Sequence, residues 1–316
     1  MKLRIVAMFL IVLIMSSGCV HSKKNQRIRV AFFPNVTHGQ ALIMKNRSTL
    51  ESAMGENVTV DWKMFNAGPA VVESMFAGQI DIAFIGPVPA INAFIKSDGD
   101  IRVISGSANG GVGLLAAKDS GIVEVGDLDG KTVAIPQLGN TQHLCLLSLL
   151  QQNHLRPSSE GGSVHVVAVS NPDIRGLLDR GELDAALVPE PWASILQIQC
   201  DAISIPFEGK DAATTVIIVR KDFLNENPEL VEQFLSEHRE VTQNMIADGE
   251  AAKNDMNAQL ELLTGSAIAP EVLDAAFSRI VFSDLIPTQS LSEYAELCLS
   301  LGLIKKLPGP EWTESV

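Results

Sequence analysis

Four places in the sequence put small or polar residues where a helix would begin: Gly68-Pro69, Gly86-Pro87, Gly139-Asn140-Thr141-Gln142 and Glu190-Pro191. The first N–H groups of a helix have no partner inside it, and the helix dipole makes that end positive. Glycine lets a ligand approach the backbone, and proline costs nothing at the first helical position. His38, Gln40, Asn66, Asn140, Thr141 and Gln142 add polar side chains near such starts, and Trp192 adds an apolar wall. Glu190 is different: its carboxylate repels an anion but would meet an ammonium group. The chemistry this grammar supports is the holding of a small anion by neutral donors. A hydrogen bond to a charged group is worth roughly 1.5–3 kcal/mol net, and micromolar affinity needs about 8 kcal/mol. A few donors closing on one oxyanion therefore suffice. Capping alone accounts for each start singly, and Asn140 fits a cap well; their recurrence is what points to one ligand site.

The elements that must position these residues are strands that end at the helix starts. Residues 78–90 read GQIDIAFIGPVPA. Ile80, Ile82, Phe84 and Ile85 form a strand buried on both faces. It stops at Gly86-Pro87, and a helical pattern resumes through Ala90, Ile91, Phe94 and Ile95. Ligands of open α/β sheets bind in the space beyond such a strand end, and anions favour the helix end there. Residues 181–193 (GELDAALVPEPWA) echo the first stretch at an offset of 103: Gly78/Gly181, Asp81/Asp184, Ala83/Ala186, Ala90/Ala193, and further back Pro69/Pro172. Two related α/β units, each offering a helix start to one cleft, are the reading taken.

Elsewhere the pattern is also α/β. Strands are expected at 28–33, 58–64, 101–105, 114–118, 132–136, 164–169 and 214–220, and helices after 41, 68, 141 and 171. Asn171-Pro172-Asp173 reads as a strong start with Asn171 as cap. Ser48/Glu51 and Ser290/Glu293 have capping-box spacing. The glycines of 109–113 mark a crossing between units, and the strand at 214–220 the return. Helices are expected near 228–247, 250–263, 270–279 and 290–302. The division is then 1–18 as a signal peptide, 19–27 as lipidated Cys19 and tether, 28–110 with 216–316 as one lobe, and 111–215 as the other.

The leader follows from Lys2 and Arg4, eleven apolar residues over 5–15, and small residues directly before Cys19. That context resembles a bacterial lipobox, although Ser16 stands where leucine is usual. The formal charge of −13 becomes −15 once Lys2 and Arg4 are lost, which excludes a basic stripe for nucleic acid. Cys145, Cys200 and Cys298 are widely spaced, with no metal-ligand pattern, and are expected as small apolar side chains. No GxSxG, HExxH or Walker sequence exists, and His143 and Cys145 face different ways on a helix. No catalytic residue, metal or cofactor is expected.

Taken together, 37–42 (THGQAL), 65–69 (FNAGP), 78–83 (GQIDIA), Gly86-Pro87, 139–142 (GNTQ) and 188–192 (VPEPW) make the chain resemble the solute-binding proteins of nitrate/sulfonate/taurine-type ABC importers, which are related to thiamine-precursor binding proteins. The resemblance covers about residues 28–310. It implies a type II periplasmic-binding-protein fold, two α/β lobes joined by two crossings and closing on one small ligand. It implies delivery to a permease driven by a separate ATPase; the lipobox-like context agrees with a receptor tethered through Cys19, and a monomer is expected. The expected ligand is a small sulfonate-like organic anion, an aliphatic sulfonate or taurine, with nitrate or a thiamine-precursor-type heterocycle as alternatives; an enzyme of the same fold is the last alternative. The pyrimidine-forming enzymes of this fold carry a segment rich in cysteine and histidine, which is missing here.

Overall fold

A computed structural model describes residues 26–313; the leader and Cys19 lie outside the described residues. The strands are β1 (Gln26–Phe32), β2 (Val58–Met64), β3 (Ile82–Ile85), β4 (Ile101–Gly110), β5 (Val112–Ala116), β6 (Thr132–Ile135), β7 (His165–Ala168), β8 (Ala185–Pro189), β9 (Ile203–Ile205), β10 (Ala213–Arg220) and β11 (Ile280–Phe282). The α-helices are α1 (Gly39–Arg47), α2 (Thr49–Met54), α3 (Gly68–Phe76), α4 (Pro87–Lys96), α5 (Thr141–Gln152), α6 (Asn171–Asp179), α7 (Trp192–Gln199), α8 (Lys221–Glu226), α9 (Pro228–Ala247), α10 (Gly249–Thr264), α11 (Pro270–Ser278) and α12 (Thr288–Ser300). No helix among the described residues is long and apolar enough to cross a membrane.

The strands form two sheets, ordered β11-β4-β10-β3-β1-β2 and β7-β6-β8-β5-β9. Each has a parallel core with an antiparallel strand laid beside it. In the first, β1 pairs in parallel with β2 and β3, and β10 runs antiparallel between β3 and β4. In the second, β6 pairs in parallel with β7 and β8, and β5 runs antiparallel to β8. β3 and β8 are buried along their whole length, as apolar runs covered by helices on both sheet faces should be. In the first lobe, Phe32, Phe84 and Phe234 anchor the core on one face, while Ala83, Ile85 and Ile91 pack on the other.

The internal echo is structural. The register Val30↔Ile82 and Ala31↔Ala83 recurs as Val133↔Ala185 and Ala134↔Ala186, each partner displaced by 103 residues. Asp81 accepts the Arg29 backbone N–H at 2.9 Å and returns its own N–H to the Arg29 carbonyl. Asp184 does the same with Thr132, at 2.8 Å. Gly78 and Gly181 both have positive φ, 66° and 70°, which a side chain rarely adopts and which turns each helix into its strand. The aspartates thus fasten the start of the buried strand to its parallel neighbour in both lobes.

The chain leaves the first sheet at Gly110 and Gly111, whose φ values of 72° and 71° are left-handed. A Cβ at Gly110 would come within 2.5 Å of the Arg279 carbonyl oxygen. The return is made over 206–212, earlier than the strand expected to carry it, because β10 lies wholly within the first sheet. The capping boxes are also absent. Ser48 closes α1 in a left-handed conformation, φ 52°, and makes no side-chain cap. Ser290 lies inside α12, where its hydroxyl accepts the Ala213 N–H at 2.8 Å and ties the helix to β10. Both serines had the right spacing, but tertiary contacts decided their roles.

Candidate functional site

A small cavity of about 30 Å³ lies between the lobes, where the strand ends meet the helix starts. The lining comes from Phe33, Asn35, Thr37 and His38 beyond β1, from Asn66, Ala67 and Gly68 at the head of α3, and from Gly86 and Pro89 at the head of α4. The second lobe supplies Pro136 beyond β6, Asn140, Thr141 and Gln142 at the head of α5, Asn171 at the head of α6, and Pro189; Thr214 completes the wall. Each helix begins where its strand has ended, so four helix N-termini converge on one space. Each carries about half a positive charge. The lining contains no Lys, Arg, Asp or Glu. Its positive character is built from peptide dipoles and neutral donors, which suits an acidic protein that takes an anion.

The repeat extends into the cavity wall. Phe33/Pro136, Thr37/Asn140, His38/Thr141, Gly68/Asn171 and Gly86/Pro189 all line it, and all are 103 residues apart. The two lobes therefore present corresponding backbone positions with different side chains. One helix start has bare glycine where its counterpart has asparagine, and histidine in one lobe corresponds to threonine in the other.

Fit between the lobes is tight. A Cβ on Gly86 would lie 2.4 Å from Thr141 Oγ1, and one on Gly68 would lie 2.4 Å from the Pro89 ring. Thr141 Oγ1 accepts the Val88 N–H across the cleft at 3.4 Å. His38 is buried against the Phe33 ring, centroids 4.4 Å apart, and its Nδ1 accepts the Phe33 N–H at 3.3 Å. Nε2 then carries the proton of the neutral ring. Burial lowers its pKa to about 3, so the ring is a neutral donor. Asn140 caps α5, accepting the His143 N–H at 2.8 Å, and still lines the cavity.

Of the residues expected from sequence, His38, Asn66, Gly68, Gly86, Asn140, Thr141 and Gln142 are brought together here. Gln40, Pro87, Glu190 and Trp192 are not in the lining. Gln40 is wholly buried, with its Nε2 on Ser107 O at 2.8 Å and its Oε1 receiving the Ser107 hydroxyl at 2.9 Å. Pro87 is buried at the first turn of α4. Trp192 Nε1 donates across the cleft to Asn35 Oδ1 at 3.1 Å. Glu190, whose peptide to Pro191 is cis, accepts the Ser194 N–H and hydroxyl, each at 3.0 Å, and Arg279 Nη1 at 2.9 Å. Burial raises its pKa, opposed by Ser194 and Arg279. Its carboxylate is held by Ser194 and Arg279, and the head of α6 rather than that of α7 lines the cavity. Sequence reading missed Asn35, Thr37, Asn171 and Thr214 as lining. The offset of 103 could have found Asn171, since its counterpart Gly68 was already a candidate.

His38 is the one ordinarily titratable side chain in the lining. His143 instead accepts the Gly139 N–H, and Cys145 lies at a crevice near the Tyr294 hydroxyl, 3.7 Å away. Cys145, Cys200 and Cys298 are unpaired. Cys298 is buried as expected, whereas Cys145 and Cys200 are only half-buried.

Comparison with known proteins places the chain. A sequence profile described as the NMT1-like family matches residues 21–260. The taurine-binding periplasmic protein of Escherichia coli (strain K12) is 28% identical over 200 residues, covering 62% of this chain and 60% of that protein. The chain matches less than two thirds of the length of the curated relatives. The alkanesulfonate-binding protein SsuA from Xanthomonas axonopodis pv. citri, bound to MOPS, superposes with a TM-score of 0.76 at 19% identity, over 92% of this chain and 98% of that one. The periplasmic nitrate-binding protein NrtA from Synechocystis PCC 6803 gives 0.73 at 14% identity, over 89% and 83%. The chain belongs to the NMT1-like family and has the two-lobed fold of the type II periplasmic binding proteins.

Proposed function

We propose that the protein is an extracytoplasmic solute receptor of an ABC importer, which captures a small sulfonate-bearing organic anion between its lobes and passes it to a membrane permease with its ATPase. It works without catalysis, as a monomer tethered by lipid on Cys19. The observation that carries the ligand class is the cavity itself: four helix N-termini and several neutral donors converge where no charged side chain stands. A fixed anion without a proton to exchange is what such a site holds well. Net hydrogen bonds of roughly 1.5–3 kcal/mol each bring three to five donors to the ~8 kcal/mol of a micromolar complex. The relatives named for taurine and aliphatic sulfonates support the same class. A taurine-type ammonium would not find Glu190, which is occupied by Arg279 and Ser194.

The heterocycle alternative needs an aromatic wall. Its candidate, Trp192, is outside the lining, where Phe33 supplies the ring instead; the four helix starts and the relatives named for taurine and aliphatic sulfonates favour the anion. A thermal-shift panel of ethanesulfonate, taurine, nitrate and a hydroxymethylpyrimidine tests the choice, because a ligand that binds the native state raises its melting temperature. Stabilisation by sulfonates is expected. Stabilisation by the pyrimidine alone would sink the proposal. For the tether, Cys19→Ala is expected to release the protein from the membrane fraction, and unchanged retention would refute lipid attachment.

A further inference from the structure

Asn171 is the lining residue with a side-chain oxygen that is both sealed from solvent and without a partner. It stands in the first turn of α6, it is 7% exposed, and its Oδ1 is sealed from solvent with no hydrogen-bond partner. A sequence Asn-Pro-Asp at a helix start is expected to cap the helix through the asparagine. Here it does not: Ser170 holds the cap position, and the Ser170 hydroxyl turns to the Asp173 carboxylate. Buried side-chain amides in native proteins almost always have partners, so an orphan in a ligand cleft calls for one. Of the other amides in the lining, Asn140 caps α5 and Asn35 accepts from Trp192, while those of Asn66 and Gln142 make no hydrogen bond among the described residues but are not sealed from solvent.

The repeat sharpens the argument. The position 103 residues earlier is Gly68, which lines the opposite side of the cavity and cannot accept even a methyl group beside Pro89. One lobe thus meets the ligand with bare backbone, and its counterpart offers an unpaired amide at the corresponding place. The amide carbonyl lacks a donor, and the cavity wall holds no carboxylate that would serve a ligand's donor instead.

We propose that Asn171 is a specificity-determining ligand contact that receives a hydrogen-bond donor carried by the anion, an ammonium or a hydroxyl, so that the site prefers amino- or hydroxy-substituted short sulfonates to bare alkyl ones. This rests on the sulfonate reading and adds the ligand's second polar group to it. A site built to hydrogen-bond a substrate group rejects the analogue lacking it far more strongly than an apolar pocket rejects an added hydroxyl, because the buried partner is left unpaired.

The test is calorimetric titration of the purified protein and of Asn171→Leu and Asn171→Ala with taurine, isethionate and ethanesulfonate, together with the melting temperature of each ligand-free protein. The parent is expected to bind taurine or isethionate about tenfold or more tighter than ethanesulfonate. In both variants that ratio is expected to collapse while ethanesulfonate binding persists. Neither variant should melt markedly below the parent, because the amide bonds nothing in the empty protein. An unchanged ratio, or a parent with no preference, overturns the proposal. Failure of all three sulfonates to bind the parent would instead refute the sulfonate reading. In that case a marked fall in melting temperature for Asn171→Ala would overturn the assignment by showing structural duty, and an unchanged one would uphold Asn171 as a group kept for a ligand.

Discussion

The Glu190 carboxylate, sealed from solvent in the second lobe, receives Arg279 Nη1 from the first at 2.9 Å, and it does so beside the point where the chain crosses. Glu190 donates its backbone N–H to the Gly111 carbonyl at 2.8 Å, and Gly111 donates its own to the Arg279 carbonyl at 2.8 Å. The pair therefore joins the lobes at their pivot. A residue suspected of meeting the ligand is instead the counter-charge of the hinge.

Removing one member of that pair leaves a buried charge. Breaking a fully buried ion pair costs about 3–5 kcal/mol. The Arg279 side chain is 35% exposed, so screening reduces the expected loss for Arg279→Met to about 2–3 kcal/mol. Urea unfolding measures it. The sign with pH is also fixed. Burial raises the Glu190 pKa in the folded state, so the native protein holds a proton that the unfolded chain has released just above the ordinary value of 4.5. Stability from this group is present below that value and is lost as pH rises through the raised pKa. Glu190→Gln, which cannot ionise, should gain on the parent as pH rises through that window; a flat or opposite trend would contradict the shift.

Gly86 tests the closeness of the lobes. Its φ of −69° suits any residue, so Gly86→Ala acts through contact alone. The new Cβ would lie 2.4 Å from Thr141 Oγ1. Gly86→Ala is expected to lower the melting temperature of the closed form and to weaken ligand binding about tenfold, on the scale of a 1–3 kcal/mol overpacking cost. Adding Thr141→Ala removes the offending oxygen and should restore the melting temperature. A double variant no more stable than the single one would show that the lobes do not meet at these residues.

Two buried histidines set the acid side of the stability profile. Burial lowers His38 to about 3 and His238 to about 4. Each contributes stability that is fully present above the unfolded value of 6.5 and drains away as pH falls toward the folded value. Between pH 6.5 and 5 one such group removes about 2 kcal/mol. Unfolding midpoints measured over that range should fall less steeply for His38→Gln than for the parent. An equal slope would mean that His38 is not buried in its neutral form.

The paired aspartates predict unequal costs. Asp81 is wholly buried and takes the Arg29 backbone N–H together with its guanidinium, with Arg220 nearby. Asp184 is a third exposed, with the Thr132 N–H at 2.8 Å and Lys131 at 3.7 Å. Asp81→Ala should cost about 3 kcal/mol and Asp184→Ala about 1 kcal/mol, following the strength of charge-assisted bonds and their exposure. Equal costs would remove the distinction drawn between the two fastenings.

Much of this organisation was legible. The run from Ile82 to Ile85, stopped by Gly86-Pro87, announced its own strand, turn and helix, because apolar continuity and proline at a helix start are local signals. The offset of 103 was visible through Gly, Asp and Pro, residues with specific backbone work. Gln40, Glu190 and Trp192 were misplaced because their partners, Ser107, Arg279 and Asn35, are distant in sequence, and no local pattern says which polar group a fold will consume. Ser48 and Ser290 failed for the same reason. Asn171 was read as a cap from its neighbours, and only its empty hydrogen-bond positions mark it as something else.

The central claim is that neutral donors at four converging helix starts bind a small sulfonate. Isothermal titration of the purified protein with taurine and ethanesulfonate, set against the same titration of Gln142→Ala and Thr141→Ala, tests it most directly. The account predicts one site per chain with micromolar or tighter affinity, about −8 kcal/mol or better. It predicts a loss of about tenfold or more in each variant, the value of one hydrogen bond to a charged group. No binding of either sulfonate at millimolar concentration, or binding that both variants retain undiminished, would contradict it.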